Sequence, residues 1–415
     1  MKVSLTSISI LALSASIATA ETTISYMSWS PDQLELEMPV IAEFEAANPG
    51  VTVEVQAMPP SDYWPKLSAL AAAGDLPDVF MMSSGFVDSW GLAGNLADLA
   101  PLAEGTDLGA YFEGSLTPGM VNGTMVAFPQ NWVAPVLYYN KDMFDAAGLD
   151  YPDADMTWDE FRAAAKALTT EDVFGYWVYG RYAHVDTWVY RNGGRYLTDD
   201  KSGIELNAAA VNTLQFLSDL IAVDNVAPQP QEMEGIRQQD VFPLGMAAMW
   251  VDGSWNIDNV RNVADPSMNW GIAQVPMGPD ATADTAAAYA WADMLSVSET
   301  SENKDLAWDF IQTLVGGERS AADFPGGKVP AYRAIAESDE WLERGSQPAN
   351  KELILEIGAQ TVYSGFSENW STWRGYGAEG QAGLNGELDE VFNGRKSLDD
   401  AIAAFTAYGN EVLAR

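Results

Sequence analysis

The chain has 415 residues, of which 59 are acidic and 21 basic, and its formal net charge is −38. So large a negative charge would repel nucleic acids and anionic lipid head groups, so neither is expected as a partner. The sequence contains no cysteine, which excludes disulfide bonds, and its length exceeds the ~250–300 residues of a single hydrophobic core, which predicts two domains.

Residues 1–20 have the pattern of an export signal. Lys2 precedes an apolar stretch over residues 8–13, and the small side chains of residues 18–20 suit a signal peptidase. The apolar stretch is too short to span a membrane core of ~30 Å. Without a cysteine at the cleavage site there is no residue for a lipid anchor. We therefore expect a mature protein that starts near Glu21 and is neither a lipoprotein nor inserted in a membrane.

The mature sequence opens with alternating strand and helix patterns. Residues 22–27 predict a strand, and Ser30 begins a capping-box pattern with proline at the first helical position. Residues 51–55 alternate as a second strand, and a second helix is expected over about residues 63–73. Residues 78–82 are apolar on both faces, as in a buried parallel strand. This order predicts a doubly wound α/β lobe.

Later segments repeat the same pattern. Thr157-Trp158-Asp159-Glu160 is a second capping box, and strands are predicted over residues 174–179 and 245–251. Amphipathic helices are predicted over residues 306–314 and 398–413. These elements indicate a second α/β lobe. Because no long glycine- or serine-rich linker separates the two, we expect the chain to cross between the lobes more than once.

The sequence offers little for catalysis. His184 is the single histidine, so a zinc site with several histidine or cysteine ligands is excluded, and no cofactor or metal is expected. Gly326-Gly327-Lys328 resembles part of a phosphate-binding loop, but it lacks the serine or threonine that must follow and is interpreted as a turn. A glycoside hydrolase remains the alternative, because two carboxylates need only meet in space, and acidic residues are abundant.

Many short segments, in a shared order over nearly the whole mature chain, resemble the family 1 extracellular solute-binding proteins, the group that includes maltose-binding protein. These segments are Phe44 to Val51, Ala73 to Val79, Gly94 to Leu99, Phe128-Pro129, Tyr138 to Phe144, Ala147 to Leu149, Thr157 to Phe161, Phe242 to Met249, Gly253 to Trp255, Lys304 to Leu314 and Gly394 to Ser397. Each segment is weak evidence alone, whereas their common order is specific.

The resemblance implies a periplasmic-binding-protein fold, with two doubly wound α/β lobes joined by three crossing strands around a ligand cleft. We place the crossings near residues 131–136, 273–277 and 332–339. The N-terminal lobe is then expected to contain residues 21–131 plus 277–333. The C-terminal lobe would contain residues 132–276 plus 334–415.

The resemblance also implies a function without turnover. The expected role is a monomeric protein of the bacterial periplasm that binds a carbohydrate and delivers it to the transmembrane permease subunits of an ABC importer. Members of the family also bind other solutes, so a polyamine or a glycerol phosphate remains an alternative ligand.

A carbohydrate site needs aromatic rings that stack on the C–H faces of sugars, together with amide, hydroxyl or carboxylate groups for hydrogen bonds. Candidates follow predicted strands or crossings, where a doubly wound sheet presents its ligand-binding groups. The predicted ligand-binding residues are Trp29, Asp32, Ser83, Ser84, Asn131, Trp132, Asp186, Trp188, Gly253, Ser254, Trp255, Trp291, Trp370, Trp373 and Arg374. Among them, Trp255 is predicted to stack on a sugar ring from the second lobe.

Two further expectations concern one arginine and two tryptophans. Arg374 is a candidate for holding a carboxylated or sulfated sugar, although a salt bridge to one of the many acidic residues is the default expectation. Trp158 and Trp308 lie inside predicted helices and are expected to pack in the core without contacting a ligand.

Overall fold

The computed structural model describes residues 22–415, apart from 284, 288, 318, 321–323, 325, 361–366, 368 and 377–381. The predicted signal peptide, residues 1–20, therefore lies outside the described residues. Within the described ranges, no helix combines the length and the apolar character that a membrane-spanning helix needs.

Strands and helices alternate along much of the chain. The strands are β1 (Thr22–Ser28), β2 (Val51–Ala57), β3 (Val79–Ser83), β4 (Met120–Val121), β5 (Thr124–Met125), β6 (Phe128–Val133), β7 (Pro135–Asn140), β8 (Phe174–Trp177), β9 (Ala247–Gly253), β10 (Trp270–Ala273), β11 (Trp291–Val297) and β12 (Val329–Pro330). The α-helices are α1 (Pro31–Ala47), α2 (Pro60–Ala73), α3 (Val87–Leu92), α4 (Glu113–Leu116), α5 (Lys141–Ala147), α6 (Trp158–Leu168), α7 (Tyr182–Arg191), α8 (Ala208–Ala222), α9 (Ile257–Val263), α10 (Lys304–Val315), α11 (Arg333–Ala336), α12 (Asp339–Leu342), α13 (Leu353–Gly358), α14 (Trp370–Arg374), α15 (Gly383–Phe392) and α16 (Leu398–Leu413).

The first lobe is built on a six-stranded sheet with the order β12-β6-β11-β3-β1-β2. β1 pairs in parallel with both β2 and β3, and α1 and α2 connect these three strands. The predicted strand–helix order of the N-terminal segment is therefore confirmed. β11 enters between β3 and β6 and runs antiparallel to both, so a late segment of the chain lies in the middle of the first sheet.

The second lobe is built on a four-stranded sheet with the order β10-β7-β9-β8. β8 and β9 are parallel, whereas β7 runs antiparallel to β9 and to β10. The helices α6, α7 and α8 pack against this sheet or against one another. Two sheets of this kind confirm the predicted two-lobed α/β fold.

The two predicted capping boxes behave differently. Thr157 accepts a hydrogen bond from the backbone N–H of Glu160, and the Glu160 carboxylate accepts one from the backbone N–H of Thr157. Ser30 makes no side-chain cap, although Pro31 does occupy the first turn of α1. At Ser30 the capping-box prediction is wrong, because the Gln33 side chain that should complete it is buried against the protein.

The chain passes between the sheets at several points. β6 ends at Val133 and β7 begins at Pro135, so Ala134 forms the first crossing, within the predicted segment. The second passage leads from β10 to β11, and the third follows β12. After β12, the chain returns to the second sheet, where the Asn350 side chain donates a hydrogen bond to the Ile272 carbonyl. The residue boundaries given above for the two lobes stay a prediction.

The two tryptophans expected in the core are indeed buried. Trp158 stacks on Phe216 with ring centroids 4.2 Å apart, and Trp308 meets the ring of Phe128 edge-on at 5.0 Å. Their large apolar surfaces stabilise the packing of α6 and α10 against their sheets.

Candidate ligand-binding cleft

The carboxyl ends of several strands converge where the two lobes meet. Trp29 follows β1, Ser83 ends β3, and Gly253 ends β9. The turn after β8 leads into Tyr182 at the start of α7. Side chains at the carboxyl ends of strands in an open α/β sheet border the same crevice, so these segments define the candidate cleft.

Three aromatic side chains form the wall of the cleft on the first lobe. Trp29 lies 5.4 Å from Trp64 of α2, measured between ring centroids. Trp64 in turn stacks on Phe86, with centroids 4.0 Å apart and planes 14° apart. Tyr63 meets Trp29 edge-on and supports this wall from the core. The arrangement holds a flat apolar surface at the carboxyl ends of β1 and β3.

The second wall is centred on Trp291, which begins β11 of the first sheet at the joint between the lobes and packs its ring into the core of the second lobe. Its ring lies 4.0 Å from Tyr182, 5.9 Å from Trp370 and 6.3 Å from Trp255, between centroids. Trp291 and Trp370 are almost fully buried, whereas Tyr182 and Trp255 are half-buried. The buried rings therefore hold the more exposed ones in position.

Tyr376 connects the two walls. Its ring lies 5.8 Å from Phe86 of the first lobe and 5.2 Å from Tyr182 of the second lobe. Rings thus follow one another without a break from one lobe to the other. We call this set the aromatic cleft, and it comprises Trp29, Trp64, Phe86, Tyr182, Trp255, Trp291, Trp370 and Tyr376.

Trp255 depends on a glycine two residues earlier. A Cβ atom added at Gly253 would lie 2.0 Å from the indole ring of Trp255, which is far inside van der Waals contact. The ring therefore folds back over the end of β9, and any side chain at position 253 would displace it. This close approach explains why glycine occupies the position and how Trp255 is aimed.

Polar side chains form the floor of the cleft along three neighbouring strands. Asp293 of β11 is directly opposite Ser83 of β3 on one side and Asn131 of β6 on the other. Residues that are directly opposite in a sheet project from the same face. Asp293 also forms an ion pair with Lys328 at 3.2 Å. We call Ser83, Asn131, Asp293 and Lys328 the polar floor.

Burial sets the protonation states around the aromatic cleft. Desolvation raises the pKa of Tyr182 well above its usual value, and it also raises the pKa of Tyr376, to which the nearby charge of Asp293 contributes. Both phenols are protonated at neutral pH, and the two side chains are hydrogen-bonded to each other. Desolvation also raises the pKa of Asp252, at the end of β9, to about 7.

Ser254 lies in the joint between the lobes. Its backbone N–H donates to the Ala134 carbonyl at 2.8 Å, and its hydroxyl donates to the Gly327 carbonyl at 2.6 Å. The same hydroxyl accepts a hydrogen bond from the backbone N–H of Ala134, so both its donor and its acceptor connect passages of the chain and neither is left for a ligand. The prediction that Ser254 contacts the ligand is corrected accordingly. The Gly326-Gly327-Lys328 segment, interpreted above as a turn, supplies the opposite side of this joint.

Four other predicted ligand-binding residues lie in the core of the second lobe. Arg374 donates two hydrogen bonds to the Asp186 carboxylate, at 2.7 and 3.0 Å, and both side chains are fully buried. The indoles of Trp188 and Trp373 are also fully buried, and they donate to Tyr176 and to Ser367. The predicted ligand contacts of Asp186, Trp188, Trp373 and Arg374 are therefore corrected, and the salt-bridge alternative holds for Arg374.

Three more predicted residues differ in their placement. Trp132 projects from the face of β6 opposite to Asn131, where it meets Phe112 edge-on at 5.6 Å, so it lies behind the sheet and not in the cleft. Asp32 is exposed on the first turn of α1, and its contact with a ligand stays a prediction. The hydroxyl of Ser84 accepts a hydrogen bond from the backbone N–H of Ala292, which joins β11 to the end of β3 beside the polar floor.

The sequence reasoning missed several cleft residues. Phe86 follows β3, and Tyr182 follows β8, so the strand-end rule that selected Trp29 could have selected both. Trp64 lies on a helix, and Tyr376 follows α14, so neither carries a local signal for the cleft. Within the described ranges, no group of three or more histidine, cysteine, aspartate and glutamate side chains is arranged to hold a metal ion.

Comparison with known sequences identifies the family. The model of the bacterial extracellular solute-binding proteins matches residues 29–317, more than half of the chain. A Brucella abortus protein named as a binding protein is 26% identical over 375 residues, which cover 88% of this chain and 89% of that protein. The sn-glycerol-3-phosphate-binding periplasmic protein UgpB of Agrobacterium fabrum is 29% identical over 162 residues, 37% of this chain and 36% of that protein.

Solved structures share the complete fold. An ABC substrate-binding protein from Listeria monocytogenes, in complex with cycloalternan, matches with a TM-score of 0.83 and 25% identity, covering 95% of this chain and 99% of that chain. The cyclic alpha-maltosyl-1,6-maltose binding protein from Arthrobacter globiformis matches with a TM-score of 0.76 and 24% identity over 95% and 99% of the two chains. From the family match and the shared two-lobed fold, the chain belongs to the bacterial extracellular solute-binding proteins.

Proposed function

We propose that this protein is the carbohydrate-binding component of an ABC importer, which captures a saccharide between its lobes and presents it to the membrane permease. The observation that carries the proposal is the aromatic cleft, whose rings extend from Trp29 on the first lobe to Trp255 on the second. A solute that touches both walls stabilises the closed arrangement over the open one, and closure is the signal that an importer can recognise.

The chemistry of the cleft suits a saccharide. Sugar rings present apolar C–H faces that stack on aromatic side chains, and they present hydroxyls around their edges. The Trp64–Phe86 wall offers such a stacking face, and the hydrogen-bonded phenols of Tyr182 and Tyr376 add hydroxyl groups. The polar floor adds amide, hydroxyl, carboxylate and ammonium groups. A polyamine would need several converging carboxylates, whereas Asp293 is already ion-paired with Lys328.

The named ligands of similar proteins point the same way. The Listeria monocytogenes protein was solved with cycloalternan, and the GacH receptor of Streptomyces glaucescens was solved with acarbose. The glycerol-3-phosphate-binding relatives match over less than half of this chain. A saccharide is therefore the first ligand class to test, and sn-glycerol 3-phosphate is the competing one.

We further infer that the protein is exported after cleavage of residues 1–20, acts as a monomer and does not turn over its ligand. The partners of two carboxylates, Asp293 on the polar floor and the buried Asp252 at the end of β9, support binding without hydrolysis. Asp293 is neutralised by Lys328, and the buried Asp252 accepts a hydrogen bond from the backbone N–H of Gly253. A glycosidase needs one carboxylic acid and one carboxylate directed at the same bond. Incubation with a bound saccharide and analysis of the products checks this inference.

A thermal-shift screen of residues 21–415 tests the proposed ligand class. The panel contains cycloalternan, acarbose, maltose, maltotriose, cellobiose, xylobiose, sn-glycerol 3-phosphate and spermidine. A ligand at 100 times its dissociation constant adds ~2.7 kcal/mol to the free energy of unfolding, so a true ligand raises the melting temperature clearly. Stabilisation by one or more saccharides supports the proposal. Stabilisation by sn-glycerol 3-phosphate or spermidine alone would contradict it.

Small-angle scattering tests whether binding closes the lobes. With a saturating saccharide, the radius of gyration should decrease, because a ligand held by both walls selects the closed form. The same measurement at several protein concentrations reports the oligomeric state. An unchanged radius of gyration in the presence of a bound saccharide would contradict the two-lobed clamp.

A further inference from the structure

Asn131 occupies the centre of the polar floor. It is directly opposite Asp293 of β11 and Pro330 of β12, so its side chain projects from the same face of the sheet as Asp293. Trp291 lies two residues before Asp293 on the same strand and therefore belongs to the same face. Asn131 is thus aimed toward the aromatic cleft, whereas its neighbour Trp132 projects behind the sheet.

The amide of Asn131 has no hydrogen-bond partner among the described residues. The side chain is completely buried, and both its nitrogen and its oxygen lack a partner. The conclusion is the same for either orientation of the amide, because both atoms are unpaired. A buried polar group without a partner costs roughly 1–3 kcal/mol, so folding would not place an amide here for stability.

No other buried amide of the described residues has both of its polar atoms unpaired, and two of the others are fully used by the fold. The Asn192 amide nitrogen donates to Ala209, Thr213 and Asp280, and its oxygen accepts from the backbone N–H of Asp280. The Asn385 amide joins Arg374 to the Gly375 carbonyl. Asn131 differs from these residues in its location at the cleft and in having both amide atoms unpaired.

We propose that Asn131 is a specificity-determining residue whose amide binds two adjacent hydroxyl groups of one sugar ring. An amide presents one donor and one acceptor side by side, and each hydroxyl of a vicinal diol can donate and accept. The pair therefore forms two hydrogen bonds at once. This inference rests on the proposed function and extends it: the solute is a saccharide whose innermost ring carries a free vicinal diol.

The neighbouring charges complete the recognition of that ring. The Asp293 carboxylate accepts hydrogen bonds, and the Lys328 ammonium donates them, while their ion pair leaves the floor with no net charge from these two groups. Both side chains keep about a sixth of their surface exposed, in contrast to the fully buried Asn131. The floor therefore suits a neutral, hydroxyl-rich ring, with the amide at its deepest point.

Two variants and a double-mutant cycle test the assignment. The probe is the saccharide of the thermal-shift panel with the lowest dissociation constant, together with its monodeoxy derivatives. Asn131→Ala and Asn131→Leu should each weaken binding of the intact probe about ten- to a hundredfold, as expected for two lost hydrogen bonds. Removing either of two adjacent hydroxyls should weaken binding to the wild type by a similar factor, but should not weaken binding to Asn131→Ala further.

Melting temperatures separate this role from a structural one. Asn131→Leu should leave the melting temperature of the ligand-free protein unchanged or raise it, because a shape-matched apolar side chain replaces an unpaired amide. The matched control, Asn192→Leu, should lower the melting temperature, because it removes an amide with several partners in the fold. Equal destabilisation by both substitutions would overturn the inference.

The outcomes also distinguish this inference from the proposed function. If the wild type binds a saccharide and the Asn131 variants bind it equally well, the diol assignment is wrong and the carbohydrate function stands. If no saccharide binds to the wild type, both proposals fail together.

Discussion

The core of the second lobe and the cleft contain the same types of charged residue, but in the core these residues stabilise the fold, whereas in the cleft they border the space for a ligand. In the core, Arg374 and Asp186 are fully buried, and the fold already occupies their hydrogen-bonding groups. In the cleft, Lys328 and Asp293 form a looser pair at 3.2 Å and keep 18% and 17% of their surfaces exposed. Whether a charged side chain is available to a ligand therefore depends on how many of its hydrogen-bonding groups already have partners in the protein, and not on its residue type.

The tryptophans show the same contrast. Trp188 and Trp373 are buried completely, and each indole N–H donates to a side chain of the protein. Trp255 is only half-buried at the end of β9, and its ring meets that of Trp291 edge-on with centroids 6.3 Å apart. A ring with one free face can stack on a solute, whereas a ring enclosed on all sides can only pack.

The largest effect is expected in the core. Arg374→Ala leaves the Asp186 carboxylate buried without its partner, which should lower the free energy of unfolding by about 3–5 kcal/mol. Equilibrium denaturation measures the loss. The matched control is Arg344→Ala, which removes a solvent-exposed pair with Asp339 and should change the free energy of unfolding far less. Equal losses of stability in the two variants would contradict the distinction between buried ion pairs that stabilise the fold and exposed pairs that do not.

Tryptophan substitutions sharpen the comparison next. Trp158→Ala should lower the free energy of unfolding by about 3–5 kcal/mol, with little change in the affinity of the folded protein, because the ring packs on Phe216. Trp255→Ala should weaken saccharide binding by about 2 kcal/mol or more and leave the fold intact. Calorimetric titration and thermal melting together separate the two cases. Trp255 belongs to the core if its removal lowers the melting temperature and spares the affinity.

The buried Asp252 makes the free energy of unfolding depend on pH. Burial raises its pKa to about 7, so the folded protein holds a proton that the unfolded chain has already released. Its contribution to the free energy of unfolding therefore decreases as the pH rises from about 4 to 7. His184, 3.5 Å away, acts in the opposite sense: burial lowers its pKa well below 6.5, so its contribution increases as the pH rises toward 6.5.

Asp252→Asn removes the first of these two effects. Between about pH 5 and 7, the free energy of unfolding of this variant should rise relative to that of the wild type by at most ~1.4 kcal/mol per pH unit. Denaturation curves at several pH values measure the difference. His184→Gln, as the complementary control, should show the opposite change in slope. Parallel curves for Asp252→Asn and the wild type would mean that the carboxyl is not perturbed by burial.

The smallest effect on stability is expected on the polar floor. Lys328→Gln removes a partly exposed ion pair, so the free energy of unfolding should change by less than about 1 kcal/mol. Affinity for the bound saccharide should nevertheless fall about tenfold, because a charged donor is lost from the floor. Titration calorimetry gives the affinity and thermal melting gives the stability. A large loss of stability with full affinity would assign the pair to the fold.

The order of strands and helices could be predicted from the sequence because it follows from local patterns. The α6 capping box involves residues three apart, and the helix predicted over residues 398–413 has the observed bounds of α16. The prediction of Trp29 and Trp255 as cleft residues used another local feature, the end of a strand. Local patterns can also fail, as at Ser30. Its capping-box pattern does not form a cap, because the Gln33 side chain is buried.

Long-range contacts account for the predictions that the structure corrected. Arg374 and Asp186 are 188 residues apart, and nothing near either residue indicates that they form a pair. Phe86 and Tyr376 come from different lobes, and they meet because the chain returns to the second lobe after β12. Asn131 and Asp293 share a face because β11 is inserted beside β6. Local patterns thus determine the α/β elements and their order. The pairing of distant strands determines which tryptophans, acids and amides face the cleft. The reason is that the burial of a side chain, and the number of its hydrogen-bonding groups that have partners, depend on residues far away in the chain.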